Sequence, residues 1–253
     1  MSFIPRAIVF DLDGTLAESK QRVEADTGLL IAELLKHMPV AIMSGGSYGQ
    51  FETQFFPALP IEVPLNNLYI FPTNAAACFV YRGGWKPQYD HSYSETERAE
   101  VHQAIEAAMR ELSIPAPETT YGDIVQDRGA QITYSAVGQQ APVAAKQAWA
   151  AAHNEDRKKL RDVIAKKLLN YSVSTGGITS IDITPKGVNK AYGVERFAEL
   201  TKISLPEMLY VGDALEEGGN DSMVIGTGIH THQVFGPEES VALIRDILPK
   251  LPR

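Results

Sequence analysis

A single cysteine, Cys78, in a chain of 253 residues rules out an intrachain disulfide and a thiolate metal cluster, and fits a reducing compartment. Basic residues are the minority charge: 23 Lys and Arg stand against 31 Asp and Glu, for a formal net charge of -8. That balance argues against a general nucleic-acid or anionic-membrane binder, while leaving room for a local basic pocket around a small anion. Long apolar runs are missing too, and none nears the ~20 residues that span a bilayer. The opening Met1-Ser2-Phe3-Ile4-Pro5-Arg6 lacks a charged region followed by a long apolar one. A soluble, cytoplasmic protein without a membrane partner is therefore expected, and in such a protein the sequon Asn170-Tyr171-Ser172 is a chance triplet. No internal repeat or low-complexity tract stands out. No Gly-x-Gly-x-x-Gly follows the first strand and there is no Walker loop, which argues against a nucleotide-binding Rossmann domain.

What is present begins with the apolar run Ala7-Ile8-Val9-Phe10, a buried strand, followed at once by Asp11-Leu12-Asp13-Gly14-Thr15. Two carboxylates at i and i+2, then a glycine break, put both acids at one edge of a sheet, where open α/β sheets bind ligands. Helical spacing of Val23, Thr27, Leu30, Ile31, Leu34, Leu35 and Met38 predicts a helix over Lys20 to Met38. The strand Val40 to Met43 and the turn Ser44-Gly45-Gly46-Ser47 complete a βαβ unit, so Asp11 and Ser44 belong at the same edge of adjacent parallel strands. A short helix (Tyr48 to Phe56) and strands at Leu68–Phe71 and Ala76–Tyr81 follow, up to Arg82-Gly83-Gly84.

The pattern then changes. Helices at Ser94 to Leu112 and Pro142 to Leu169 interleave with strands near Gln131–Val137, Tyr171–Thr175 and Ile178–Thr184, an α+β insert closed by Pro185-Lys186-Gly187. The charge run Glu155 to Lys159 is the solvated face of the second helix. The core pattern resumes with a helix from Lys190 to Leu200, the strand Met208–Val211, Gly212-Asp213, the segment Gly218-Gly219-Asn220-Asp221, a strand-like Gly228–Phe235 and a last helix from Glu238 to Leu248. The expected fold is α/β: a Rossmann-like doubly wound parallel-sheet core over 1–83 and 187–253, with an inserted α+β cap over 84–186.

Four blocks converge on one sheet edge: Asp11 with Asp13, Ser44, Lys190, and Asp213 with Asp221. Clustered carboxylates without Cys or His select a hard cation, Mg²⁺, which is readily shared with a phosphate. Phosphoryl transfer needs an in-line nucleophile, neutralisation of the equatorial oxygens and a proton donor for the leaving oxygen. Asp11 suits the nucleophile, giving an aspartyl phosphate, and Asp13 suits the acid and then the base. Ser44, the Gly45 backbone N–H and the Lys190 ammonium suit the phosphate, with Lys186 as the other lysine within reach. His230-Thr231-His232 sets two imidazoles on one strand face without a third ligand nearby. Trp85, Tyr89 and Tyr93 are expected to pack a joint between cap and core, or to line a sugar cleft.

These motifs resemble the haloacid-dehalogenase-like superfamily of phosphatases and phosphomutases along the whole chain: Asp11-Leu12-Asp13-Gly14-Thr15, Ser44 after a strand, Lys190, and Gly212-Asp213 followed by Gly219-Asn220-Asp221. The resemblance implies that Asp11 and Asp213 bind Mg²⁺ by side chain and Asp13 by its backbone carbonyl, with Asn220 and Asp221 supporting the metal shell. The insert resembles the cap of the branch containing sugar phosphatases and eukaryotic-type phosphomannomutases, and Gly212 to Asp221, with its doubled glycine, resembles the mutases. By that resemblance Lys20, Arg128, Ser180 and Asp182 contact sugar and phosphate, and the cap can mediate a homodimer. Gln139 and Lys146 stand where the mutases carry two further arginines, and Ile225-Gly226-Thr227 stands where they have an acidic loop for a second cation. A planar guanidinium grips a distal phosphate better than an amide or a point charge. The expected activity is thus Mg²⁺-dependent hydrolysis of a small sugar phosphate, with a phosphomannomutase-like isomerase as the alternative and a non-catalytic phosphate-sensing module as the reading from another class.

Overall fold

The computed structural model describes residues 3–113 and 119–252; Met1 and Ser2 of the opening segment lie outside the described residues. The chain forms two compact units, one of residues 1–90 with 189–253 and one of residues 91–188.

The larger unit is built on a seven-stranded sheet of order β11-β10-β1-β2-β3-β4-β5. Its strands are β1 (Ala7–Asp11), β2 (Val40–Met43), β3 (Leu68–Phe71), β4 (Ala77–Tyr81), β5 (Trp85–Asp90), β10 (Met208–Gly212) and β11 (His230–Gln233). From β11 through β3 the neighbours are parallel. Beyond β3 the sheet turns antiparallel, because residues 72–76 are too few for the crossover that a parallel partner requires. Residues of β1 alternate between two cores: Ile8 and Phe10 pack with Ile31, Leu34 and Ile244 on one face, while Ala7 and Val9 pack with Val194 and Phe197 on the other. Helices α1 (Ala25–Leu35) and α6 (Pro237–Ile247) therefore cover the first face and α5 (Lys190–Thr201) the second. From β1 the chain winds outward to β2 and β3, then returns to place β10 on the opposite side of β1. The carboxyl end of β1 thus lies at a topological switch point, where a crevice opens.

Several elements differ from expectation, among them α1 and β5 in the core and the unexpected strand at Val125–Asp127 in the smaller unit. Helix α1 begins at Ala25, not Lys20, since Lys20 takes a left-handed φ of 60°, a conformation that an α-helix of L-residues does not accommodate. The strand β5 was expected neither as a strand nor in the core, the insert having been placed from residue 84. It pairs with β4 as the outermost strand of the core sheet. Pro87 hid it, and an edge strand is where proline is tolerated. Trp85, expected at a joint, stacks on Phe56 with ring centroids 4.8 Å apart, and the Tyr89 hydroxyl donates to the Ala75 carbonyl at 3.0 Å; both contacts lie within the larger unit.

The smaller unit has a four-stranded sheet of order β6-β7-β9-β8, from β6 (Val125–Asp127), β7 (Ile132–Ser135), β8 (Tyr171–Thr175) and β9 (Ser180–Pro185). Helix α3 (Glu95–Glu111) starts in a capping box between Ser94 and Glu97, and α4 spans Val143–Lys167. Ile132, Tyr134, Ile181 and Ile183 pack with Val101, Ile105, Leu160 and Ile164 of these helices. Period-2 alternation assigns the intervening Thr133, Ser135, Ser180 and Asp182 to the sheet's helix-free face. Tyr93, also expected at a joint, donates its hydroxyl to the Ile183 carbonyl at 3.0 Å.

Candidate active site

Asp11 is the last residue of β1, and Asp213 follows β10 directly. Register pairs Asp11 with Met43, so Ser44 begins the neighbouring turn at the same edge. Gly14, at φ 86°, turns the chain between them; a side chain there would meet the Asp213 carboxylate at 2.2 Å. Only glycine serves both the left-handed backbone and that approach.

Carboxylate oxygens of Asp11, Asp213 and Asp221 lie within 4.8 Å of one another. Lys190, the first residue of α5, sends its Nζ to Asp11 Oδ1 and Asp221 Oδ1, each at 2.5 Å. The lysine is 1% exposed, Asp11 3% and Asp221 0%, so these three are almost sealed from water, while Asp213 is partly exposed. Of the two lysines that sequence leaves open, Lys190 is the one at Asp11; Lys186 is exposed and donates to the Leu169 carbonyl at 2.9 Å. The Tyr210 hydroxyl adds a third donor to Asp221 Oδ1 at 2.6 Å, and the Ala214 N–H reaches Asp221 Oδ2 at 3.2 Å. Asn220 is exposed beside it.

Burial pushes the Asp11 carboxyl well above its ordinary range, with Lys190 pulling the other way and Asp221 reinforcing the rise. Burial, and then the Asp221 charge, raise Asp213 to about 6. Asp221 is held below the usual value: burial opposes its charge, but Lys190 and the hydrogen bonds from Lys190 and Tyr210 outweigh it. Burial likewise disfavours the Lys190 ammonium, but Asp11 and Asp221 carry it above an ordinary lysine. Three carboxyl groups crowd one ammonium in a largely buried pocket, and ionising all three together is costly without a further cation. The all-oxygen donor set and that excess fit a divalent hard ion such as Mg²⁺.

The Asp13 carboxylate is the second focus. Its Oδ1 accepts from the Lys20 backbone N–H at 2.6 Å and from Gln54 Nε2 at 3.2 Å; its Oδ2 accepts from Gln50 Nε2 at 2.8 Å and from Ser44 Oγ at 3.5 Å. Lys20, expected to grip substrate, here reaches Asp13 through its main chain, and its side chain is exposed. The two glutamines escape sequence reading; their one signal is i,i+4 spacing on the short helix α2 (Tyr48–Gln54), which sets them on one face. Ser44 Oγ also accepts from the Gly46 N–H at 2.9 Å, and Gly45 follows it at the sheet edge.

The cap residues form a group of their own in the smaller unit. Arg128 donates to Gln126 Oε1 at 2.9 Å and Gln139 Oε1 at 3.2 Å. Gln139 donates to the Thr133 carbonyl at 3.1 Å and accepts, at its carbonyl, from Lys146 Nζ at 3.5 Å. Asp182 accepts from Thr133 Oγ1 at 2.9 Å and pairs across the sheet with it, as Ser180 does with Ser135. His230 and His232 lie on the edge strand β11, where His230 packs on Phe3 with ring centroids 4.1 Å apart.

Comparison with known proteins gives the same frame. A probable phosphomannomutase from Caenorhabditis elegans is 22% identical over 249 residues, covering 96% of this chain and 96% of the relative. Among solved structures, an IMP-bound variant of the Plasmodium falciparum IMP-nucleotidase superposes with a TM-score of 0.71 at 17% identity, over 97% of this chain and 68% of the other. A haloacid dehalogenase-like hydrolase from Bacteroides thetaiotaomicron superposes with a TM-score of 0.61 at 14% identity, over 96% of this chain and 99% of the other. These likenesses establish the fold, and residues 8–221, from the first strand to the last acid of the cluster, match the family described as haloacid dehalogenase-like hydrolase; the chain is a member of that family.

Proposed function

We propose that this enzyme transfers phosphoryl groups by way of an aspartyl phosphate and that its reaction is the Mg²⁺-dependent hydrolysis of a small sugar phosphate. The observation that carries the reading is the pairing of a buried carboxylate, Asp11, with the Lys190 ammonium at 2.5 Å, with a second carboxylate two residues on, Asp13, held by separate donors. Asp11, Asp213 and Asp221 are the side chains that hold the metal, with the Asp13 carbonyl. The metal, when bound, supplies charge neutralisation for a phosphate oxygen. Asp11 attacks phosphorus as the P–O bond to the leaving group breaks, and Asp13 gives its proton to the departing alkoxide. Asp13, now a carboxylate, takes a proton from the water that attacks phosphorus next, and cleavage of the P–O bond to Asp11 restores the nucleophile. Lys190, Ser44 Oγ and the Gly45 N–H hold phosphate oxygens. Within the smaller unit, Arg128, Gln139, Lys146, Ser180 and Asp182 are the donors and acceptors proposed to recognise substrate.

Release of inorganic phosphate from a panel of sugar phosphates, with Mg²⁺ and with EDTA, tests the reading; no turnover anywhere on the panel would sink it. A second reading rests on the phosphomannomutases among the relatives: the phosphoryl group returns to a sugar hydroxyl. Isomer formed without free phosphate, in the presence of a bisphosphate activator, would favour it.

A further inference from the structure

We infer that Gln50, backed by Gln54, is a positioning residue for Asp13: it sets the direction in which that carboxyl meets the leaving oxygen. The inference rests on the proposed role of Asp13. Four donors divide evenly over the two oxygens of one carboxylate, and two of them come from a single helix. Gln50 Nε2 reaches Asp13 Oδ2 at 2.8 Å and Gln54 Oε1 at 2.6 Å, while Gln54 Nε2 reaches Asp13 Oδ1 at 3.2 Å. The three groups close a ring in which each glutamine orients the other's amide. Gln54 is 4% exposed, so its side chain has little freedom to leave. The backbone accommodates the arrangement: a side chain on Gly46 would fall 1.4 Å from Gln50 Oε1, so Gly46 is the clearance that admits the amide. The Lys20 N–H and the two glutamine amides fix the plane of the carboxyl, and the long 3.5 Å contact from the rotatable Ser44 hydroxyl is the one that yields its place on Oδ2 to the transferred proton. Proton transfer to an oxygen departing from phosphorus depends on such a fixed direction, because general acid catalysis works only within hydrogen-bond reach.

Leaving groups that differ in their need for a proton isolate this role. p-Nitrophenolate departs from phosphorus unaided, whereas the benzyl alkoxide must be protonated as the P–O bond breaks, and the two esters share an aromatic ring. The rate constant kcat/KM reports events up to the first irreversible step, here transfer to Asp11. Gln50→Ala, and Gln50→Glu, which keeps the volume but has no N–H to donate, should lower kcat/KM on benzyl phosphate about 10- to 100-fold more than on p-nitrophenyl phosphate, a share of the ~10²–10⁴ that a positioned acid contributes. Asp13→Asn should show the same selective loss, larger, and Gln54→Ala a smaller one. Retained turnover of p-nitrophenyl phosphate doubles as the check that each variant folds. Equal losses on the two esters, or no loss on benzyl phosphate, overturn the inference while leaving the reaction class intact. Absence of wild-type turnover on both esters and on the sugar-phosphate panel overturns the reaction class, and the inference with it.

Discussion

Lys190 Nζ lies 2.5 Å from Asp11 Oδ1, and both groups are shut away from solvent. Removing the ammonium leaves the buried Asp11 and Asp221 facing each other, and the partly exposed Asp213, without a cationic partner. Loss of one partner from a buried ion pair typically costs about 3–5 kcal/mol. Lys190→Met should therefore lower the free energy of unfolding by about that amount in urea titrations without metal, and Mg²⁺ should restore part of it. Activity should fall by at least ~10²-fold, since phosphate loses a charged partner in a dry site. A variant as stable as the wild type, with or without metal, would contradict this account of the pocket.

Asp11→Asn should abolish turnover of every phosphate ester. Acid-quenched wild-type enzyme, digested after mixing with substrate, should carry a phosphoryl adduct on the peptide containing Asp11, and the variant should carry none. An adduct on any other residue would remove Asp11 from the nucleophile's role.

Asp213 gives a pH dependence with a definite sign. Its folded value is raised from 3.8 to about 6, so in the absence of metal the folded state holds this proton more tightly than the unfolded chain does. That contribution is fully present below about pH 4 and is lost as the pH rises through about 6. Asp213→Asn, which cannot ionise, should therefore melt at the wild-type temperature or below near pH 4 and above it near pH 7, both measured in EDTA. Saturating Mg²⁺ should reverse the order at pH 7, because a ligand that binds only the folded form stabilises it and the variant has lost a metal carboxylate. Melting curves that keep one order at all pH values, with and without Mg²⁺, would exclude Asp213 from the metal's coordination.

Tyr210 donates a 2.6 Å hydrogen bond to Asp221 from a fully buried position. Hydrogen bonds to charged groups are worth ~1.5–3 kcal/mol. Tyr210→Phe, which deletes only the hydroxyl, should destabilise the fold by about that much and weaken Mg²⁺ binding, as read by the Mg²⁺-dependent rise in melting temperature. A change under ~0.5 kcal/mol would show that Lys190 and the Ala214 N–H suffice to hold Asp221.

The βαβ unit and the acid-bearing strand ends were legible because their signals are local: apolar runs of strand length that break at Asp-x-Asp-Gly or Gly-Asp. Lys190 stood out for a different reason, its place at a helix start between two such blocks. Less accessible were groups whose role depends on where a distant element folds. Gln50 and Gln54 look like the solvated side of a short helix until α2 is seen to pack beside Asp13. Tyr210 fits the apolar alternation of its strand, and nothing local marks its hydroxyl as a partner for an acid eleven positions later. Strand β5 lacks alternation because one edge of it is unpaired and most of its side chains are exposed, so no hydrophobic period was imposed on it. Lys20 stood out as a charge, whereas the group that reaches Asp13 is its amide, which every non-proline residue possesses.

The bond between Lys190 and Asp11 joins residues 179 positions apart, and Asp221 lies 31 further along. The switch-point topology makes this unavoidable, since β1 comes first and its partner β10 comes after the whole inserted unit. During synthesis Asp11 therefore emerges long before the lysine and the acids that complete its pocket. Closing so long a loop is a late and slow event in folding. A ribosome-bound chain that stops short of residue 221 should hold Asp11 without the buried surroundings that Lys190 and Asp221 give it, so the pocket forms in one step once residue 221 has emerged instead of maturing with length.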